Sequence, residues 1–384
     1  MRSRRRWSAG WLALSVGALG AVMASRPGAP VGKTRTSYIA ADPVTWDYVA
    51  GGRDEIHGQA FADSAFFRDS TAQPVSTSYH KMLYREYTDS TFRTLKPRPA
   101  DWEHLGFLGP LVRAVVGDTI RLVFRNNGAR PFSVHPHGVF YKKDSEGAPY
   151  ADGSSGADKL DDGVPPGGTH VYVWPVPERA GPAPGEGSSV MWMYHSHVDE
   201  TRDINTGLLG IILVTARGMA RPDGSPKDVD REIVASFDQV HEEDSWLADE
   251  NLPVALLKKG PIANPSQRQN FYPWFVQFTI NGFAHGSLPL SAFTLRQGER
   301  VRWYLMASTN DFDAHAPHWH GNTVVANHMR TDVTALVPMQ MLVADMRPDN
   351  PGIWLFHCHI SFHNAAGMAV RYVVADETAK GAKQ

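Results

Sequence analysis

Two stretches of this chain repeat each other, and each repeat carries histidines two residues apart. Gly117-Asp118-Thr119-Ile120-Arg121-Leu122-Val123-Phe124 leads, eighteen residues on from Gly117, to HPHG at 135–138. Gly298-Glu299-Arg300-Val301-Arg302-Trp303-Tyr304-Leu305 leads, twenty residues on from Gly298, to HWHG at 318–321. Further along, Met191–His197 (MWMYHSH) is mirrored by Ile353–His359 (IWLFHCH), and each copy runs through a glycine into a closing apolar strand, Leu208–Val214 and Met368–Val374. The alternation after Gly117 and Gly298 reads as strand fed by a turn. His135 and His195 are 60 residues apart, His318 and His357 only 39. Lys142–Gly168, rich in Gly, Asp, Pro and Ser, absorbs the difference as a surface insertion. The repeat therefore predicts an all-β chain of two tandem β-sandwich domains, 36–216 and 231–376. The segment 217–230, with Arg-Pro-Asp-Gly-Ser-Pro at 221–226, reads as their linker.

Composition agrees. The 384 residues exceed one sandwich, and 34 Gly and 27 Pro favour short strands with long connections. A net charge of −2 offers no field to recruit nucleic acid or acidic lipid. Arg2, Arg4, Arg5 and Arg6 precede an apolar stretch from Trp11 to Met23, with small residues at Ala24 and Ser25. That order predicts an export signal over 1–24, leaving a periplasmic or extracellular protein with no membrane span. The paired arginines hint at the twin-arginine route, which carries folded proteins.

Of the 17 histidines, ten fall in four clusters: 135 and 137; 195 and 197; 315, 318 and 320; 357, 359 and 363. On an extended strand residues i and i+2 face the same side, so each His-x-His aims two imidazoles into one space. Four such pairs offer eight nitrogen ligands, which suits several borderline-soft ions better than one zinc. His57, His80, His104, His170, His241, His285 and His328 stand alone and read as ordinary core or surface residues.

The single cysteine, Cys358, excludes an intrachain disulfide. It sits between His357 and His359, so alternation points its sulfur away from the histidine cluster while its neighbours point in. His363 and Met368 follow it, and His315 lies three residues before the 318–320 pair. Two His, one Cys thiolate and a weak axial Met make the ligand set of a blue-copper electron-transfer site. The chain through Cys358 then joins that site to both adjacent imidazoles. In the first copy the counterparts of His315, Cys358, His363 and Met368 are Phe132, Ser196, Thr201 and Thr206. All four blue-site ligands are absent there together, while the His-x-His pairs remain.

HPHG, HSH, HAPHWHG and HCHISFHNAAGM resemble, in order, the four copper signatures of the multicopper oxidases. Tyr79–Phe92 (YHKMLYREYTDSTF), Leu105–Pro110 (LGFLGP) and Tyr194–Leu209 look like the ceruloplasmin and hephaestin branch, while the two-domain length looks like the bacterial small laccases. The resemblance implies cupredoxin-like Greek-key sandwiches and four coppers per chain equivalent. His315, Cys358, His363 and Met368 would hold type 1. His135 and His318 would hold type 2. His137, His195 and His359 would hold one type 3 ion, and His197, His320 and His357 the other. It implies a homotrimer, in which the cluster's histidines meet across a subunit boundary. It also implies a reaction, one-electron oxidation of a phenol, an aromatic amine or ferrous iron coupled to reduction of dioxygen to water. His363 would be the entry for the reductant's electron, as the ligand nearest the surface.

Proton delivery needs an acid near the cluster. Asp199, Glu200, Asp311 and Asp313 are the nearest carboxylates in sequence, and Asp199, just past His197, is the candidate catalytic acid beside Cys358, His357 and His359. His241-Glu242-Glu243-Asp244 offers an iron-docking patch but reads as solvated surface. Met339, Met341 and Met346 offer a soft copper(I) site but read as strand and core. A copper nitrite reductase would carry its cysteine in the first domain and fewer histidines, and a copper carrier would not require the histidine–cysteine–histidine relay.

Overall fold

The computed structural model describes residues 32–61, 76–252, 276–308 and 313–376. The chain divides into two compact units, Met1–Val31 and Gly32–Gln384. The signal expected at 1–24 belongs to the first unit and, like Asp311, lies outside the described residues.

The second unit is built twice over from a pair of facing sheets. In the first copy one sheet runs Ser78–Tyr87, Thr34–Asp47, Thr119–Asn126, Thr169–Pro175. The strand after Gly117 alternates as its sequence demands, with Ile120, Leu122 and Phe124 buried and Arg121 and Arg125 turned outward. The other sheet runs Leu111–Val115, Leu209–Thr215, Ser189–His195, His135–Pro136. The second copy repeats this order as Thr294–Arg296, Ala369–Ala375, Gly352–Cys358, Pro317–Trp319, beside a six-stranded sheet that contains Arg231–His241 and Val301–Ala307. These are β-sandwiches, as the repeat predicts, and of the cupredoxin-like kind that the resemblance implies.

Register carries the histidines to one end of each sandwich. His135 pairs with His195 across an antiparallel ladder, and His318 pairs with His357 in the same way. The glycine closing each HxHG motif has a physical reason. Gly138 and Gly321 sit at φ +75° and +72°, and an added Cβ would lie 2.1 Å from the Trp192 ring and 2.4 Å from the Trp354 ring. Only glycine allows the chain to turn there beneath a tryptophan.

The copies are locked together. One apolar cluster includes Met193, Ile211 and Leu213 from the first and Val234, Trp303 and Phe356 from the second. Over it lies a polar ladder in which Arg302 donates to Ser189 Oγ (2.8 Å), Tyr304 meets the same hydroxyl (2.7 Å), and Arg113 pairs with Glu232 (2.8 Å). Segment 217–230, expected as the linker, is held by contacts of its own. Ala220 bridges to Pro226, and the Arg221 guanidinium donates to the Pro226 carbonyl and to Val229 O at 2.8 Å. The insertion 142–168 also differs from a plain surface loop. It folds into two short 3-10 turns, buries Ser145 and Asp161, and ties Lys143 and Lys159 to Asp152.

Candidate metal centres

His315, Cys358 and His363 converge at the end of the second sandwich, all three buried. Cys358 closes its strand and His363 rides the short helix Ser361–Ala365 that follows. Sγ lies 3.5 Å from His363 Nδ1 and 3.9 Å from His315 Nδ1. Met368 is buried beside them, its carbonyl accepting from Cys358 N (3.1 Å) and its N–H donating to His363 O (2.9 Å). Burial pushes the Cys358 thiol pKa up and the His315 imidazole down to about 3, so His315 is neutral and able to bind a metal near neutral pH. His315 Nε2 is buried with no hydrogen-bond partner among the described residues. A soft thiolate with two neutral imidazoles, closed off from water, fits copper better than a hard cation.

His363 is covered rather than open to solvent. Its imidazole is fully buried, with Nε2 3.0 Å from the Asp313 carboxylate and 3.1 Å from the Gln239 amide, and Phe278 packs on its ring. The exposed groups here are its neighbours: Asp313, with a side chain 56% accessible, and Phe362, 45% accessible.

The other eight histidines form two quartets. His135, His137, His195 and His197 cluster with ring centroids 5.1–5.6 Å apart in the contacting pairs, and His318, His320, His357 and His359 do the same at 4.8–5.6 Å. Within each, two Nε2 atoms face each other at 3.1 Å: His137 with His195, and His320 with His357. Backbone carbonyls fix the tautomer. Nδ1–H of His135 donates to Glu146 O (2.6 Å), His195 to Ser196 O (3.0 Å), His318 to Asp332 O (2.9 Å) and His357 to Cys358 O (2.8 Å). Each such bond leaves Nε2 with its lone pair aimed into the quartet, as metal-binding histidines require. Burial lowers His137 and His357 to about 4 and lowers His135, His195 and His320 as well. Neutral imidazoles whose lone pairs converge are ready-made ligands.

Among the described residues no ring contact, hydrogen bond or ion pair joins one quartet to the other. Each pair of His-x-His motifs shares its own space, and His320 and His359 of the second quartet are exposed.

The carboxylates sort differently from their sequence order. Asp199 caps the helix Glu200–Thr206, its Oδ1 accepting from Arg202 N at 3.3 Å, and pairs with Arg202. Glu200 is the one that reaches the histidines, 3.5 Å from His197 Nε2 and 4.0 Å from His195 Nε2. The acidic patch is split. Glu242 points inward to buried Lys81 (2.9 Å) and Tyr48 (2.7 Å), whereas His241, Glu243 and Asp244 gather with ligand atoms within 4.8 Å of one another. Met341 and Met346 bound a strand and Met346 is buried, as the strand-and-core reading expects. Two histidines read as solitary, His57 and His285, share the buried carboxylate of Asp54, at 2.7 Å and 3.7 Å. The carbonyls of Glu146 and Asp332 leave no sequence signal, because any residue supplies one.

A doubled cupredoxin-like fold with a Cys–His site and paired histidines defines a class of copper proteins. The chain belongs to the multicopper oxidases: residues 105–218 and 259–378 match two models of that family, each described as multicopper oxidase. It is 40% identical over 351 residues to human ferroxidase HEPHL1, 38% over 348 to human hephaestin and 34% over 351 to human ceruloplasmin. These alignments cover 88–89% of the chain but only 29–32% of the relatives, so it spans about a third of their length. Its fold is similar to that of the blue copper oxidase from Nitrosomonas europaea, with a TM-score of 0.55 at 17% identity, covering 90% of this chain and 87% of that one. Among the described residues no helix is long and apolar enough to cross a membrane.

Proposed function

We propose that the chain is an oxygen-reducing copper oxidase, exported, whose sandwich domains at 36–216 and 231–376 divide the work. His315, Cys358, His363 and Met368 hold the blue copper. His135 and His318 hold the type 2 ion; His137, His195 and His359 hold one type 3 ion, and His197, His320 and His357 the other. Copper bound there would supply one-electron oxidation of a reductant at the Cys358 site and four-electron reduction of dioxygen to water at the histidine sites. The observation that carries this reading is the pair of opposed Nε2 atoms at 3.1 Å in each quartet, with Nδ1 of one member of each pair anchored on a carbonyl.

Because no contact joins the quartets among the described residues and His320 and His359 are exposed, each half is completed by the other half from a neighbouring copy. Head-to-tail contacts of that kind close into a ring, and a homotrimer is the expected ring. Around the cluster the protein's own contribution is to hold imidazoles neutral and oriented and to bring protons. Glu200 stands nearest for that second task and Asp199, as cap, keeps the Glu200 turn in place.

Two reductants have support. Ferrous iron is favoured by the ferroxidase name of HEPHL1 and by the His241–Glu243–Asp244 group. That group begins two residues beyond Gln239, on the same strand and the same face as the amide that touches His363. A phenol or aromatic amine is favoured by Phe362 and Asp313, an exposed ring and an exposed carboxylate next to His363. Oxygen uptake by copper-loaded protein with ferrous iron and with a methoxyphenol, each against its own blank, decides between them. Uptake with neither overturns the enzyme reading.

A further inference from the structure

The first copy lacks the blue-copper ligands, and what stands in their place is a buried hydrogen-bonded hub. Ser196 occupies the position of Cys358, and the match extends to its partner. The N–H two residues before each His-x-His donates to the side chain at this position, Ser133 N to Ser196 Oγ (3.0 Å) in one copy and Ala316 N to Cys358 Sγ (3.3 Å) in the other. In the second copy the sulfur looks toward His315 and His363. In the first, the Ser196 hydroxyl donates to Asp203 Oδ2 (2.6 Å). Asp203 is fully buried, and the same Oδ2 accepts Val198 N (3.1 Å) and Asp199 N (3.2 Å), while Oδ1 accepts Trp246 Nε1 (2.8 Å).

Those donors bracket His197. The regular ladder ends at His195, and one further cross-strand bond, Ser196 N to Leu208 O (3.1 Å), closes it before His197. Asp203 pins residue 196 on one side of His197 and residues 198 and 199 on the other. Ser133 Oγ accepts the N–H of His197 itself (3.0 Å). Thr206, at the offset of Met368, receives Trp246 N (2.9 Å), closing the network beneath the quartet.

We propose that Asp203 is a positioning residue for the His195–His197 metal ligands. In the first copy its carboxylate fixes the histidine-bearing segment as the cysteine-ligated metal would in the second. The proposal rests on the copper assignment above and goes beyond it, since it gives the missing blue site a function. Removing the carboxylate leaves several buried donors without a partner, which frees the very backbone that aims the imidazoles.

The test uses full-length Asp203→Asn and Asp203→Ala, with Asp203→Glu as the conservative variant, loaded with copper beside the parent protein. Copper content, the blue thiolate–copper absorption and the near-ultraviolet absorption of a coupled copper pair are read on each. Both Asn and Ala variants are expected to keep the blue band and lose the coupled-pair band, with a copper ratio that falls toward the Cys358 site alone. Partial return of the coupled-pair band in the Glu variant is also expected. A coupled-pair band unchanged in both Asn and Ala variants overturns the proposal. So does equal loss of both bands in a protein with parental circular dichroism, since the effect is then not confined to the first copy. A parent protein that shows neither band fails the copper assignment instead, which keeps the two failures apart.

Discussion

Asp313 caps His363, its carboxylate oxygen 3.0 Å from Nε2 of an imidazole that has no exposure of its own. A donor outside therefore meets the exposed Asp313 and Phe362 before it meets His363. Asp313→Asn keeps an acceptor for the ring N–H but removes the negative charge. The reduction potential of copper bound at the Cys358 site should rise, and turnover of a cationic reductant should fall about 10-fold, the low end of what altering a group bonded to a metal-ligating histidine costs. Redox titration of the blue band with steady-state kinetics checks both, and an unchanged potential removes Asp313 from the site.

Glu200 and Asp199 are adjacent but face different tasks. Glu200→Gln should slow oxygen consumption about 100-fold, the low end for a positioned acid, with the blue colour intact. Asp199→Ala should cost about 1 kcal/mol of stability through the lost helix cap and have the smaller effect on rate. Oxygen-electrode rates and denaturant midpoints on both variants separate the roles; the reverse order would return the proton to Asp199.

Copper-free protein should lose stability as pH falls from about 6.5 to about 4. His104 and His315 are depressed to about 3 by burial, and His137 and His357 to about 4. In that window the unfolded chain takes up protons that the folded chain refuses, so acid favours unfolding. Each fully buried group contributes a slope of about 1.4 kcal/mol per pH unit, and the slope ends where the folded imidazole itself titrates. Thermal melts at several pH values measure it. A flat melting temperature across the window would mean that these rings are protonated in the fold.

Lys81 and Glu242 form a wholly buried pair, with Tyr48 as a third partner. Burial lowers the lysine's pKa and raises the glutamate's, so neither tolerates losing the other. Glu242→Ala should destabilise by about 3–5 kcal/mol, the usual cost of leaving one buried charge alone. Oxygen uptake per folded molecule should stay at the parental rate, because the Glu242 carboxylate is engaged by Lys81 and Tyr48 in the interior. Chemical denaturation and per-mole activity test the two halves separately.

The repeated His-x-His motifs, the Cys358 setting and the doubled sandwich were legible because each follows from spacing along the chain. Strand alternation alone sends His357 and His359 one way and Cys358 the other. What was not legible depends on chain reversal. Glu146 O holds His135 from within an insertion that reads as surface, and Asp332 O holds His318 from fourteen residues away. Glu200 approaches His197, and Asp199 caps instead, because a short helix begins between them, and a seven-residue helix gives too little periodicity to announce itself. His363 is interior because Asp313 and Gln239 close over it, one from a loop and one from a distant strand.

The separation of the two quartets bears on safety as well as assembly. Reduction of oxygen by fewer than four electrons releases reactive products, and a chain with half a cluster is poorly placed to finish the job. On the cross-chain reading, a stray copy can turn blue and store one electron but offers oxygen no completed site. Dilution should then extinguish oxygen consumption while colour persists, with the rate falling faster than the first power of chain concentration. Association would act as an interlock, withholding the hazardous half of the chemistry until every electron it needs is within reach.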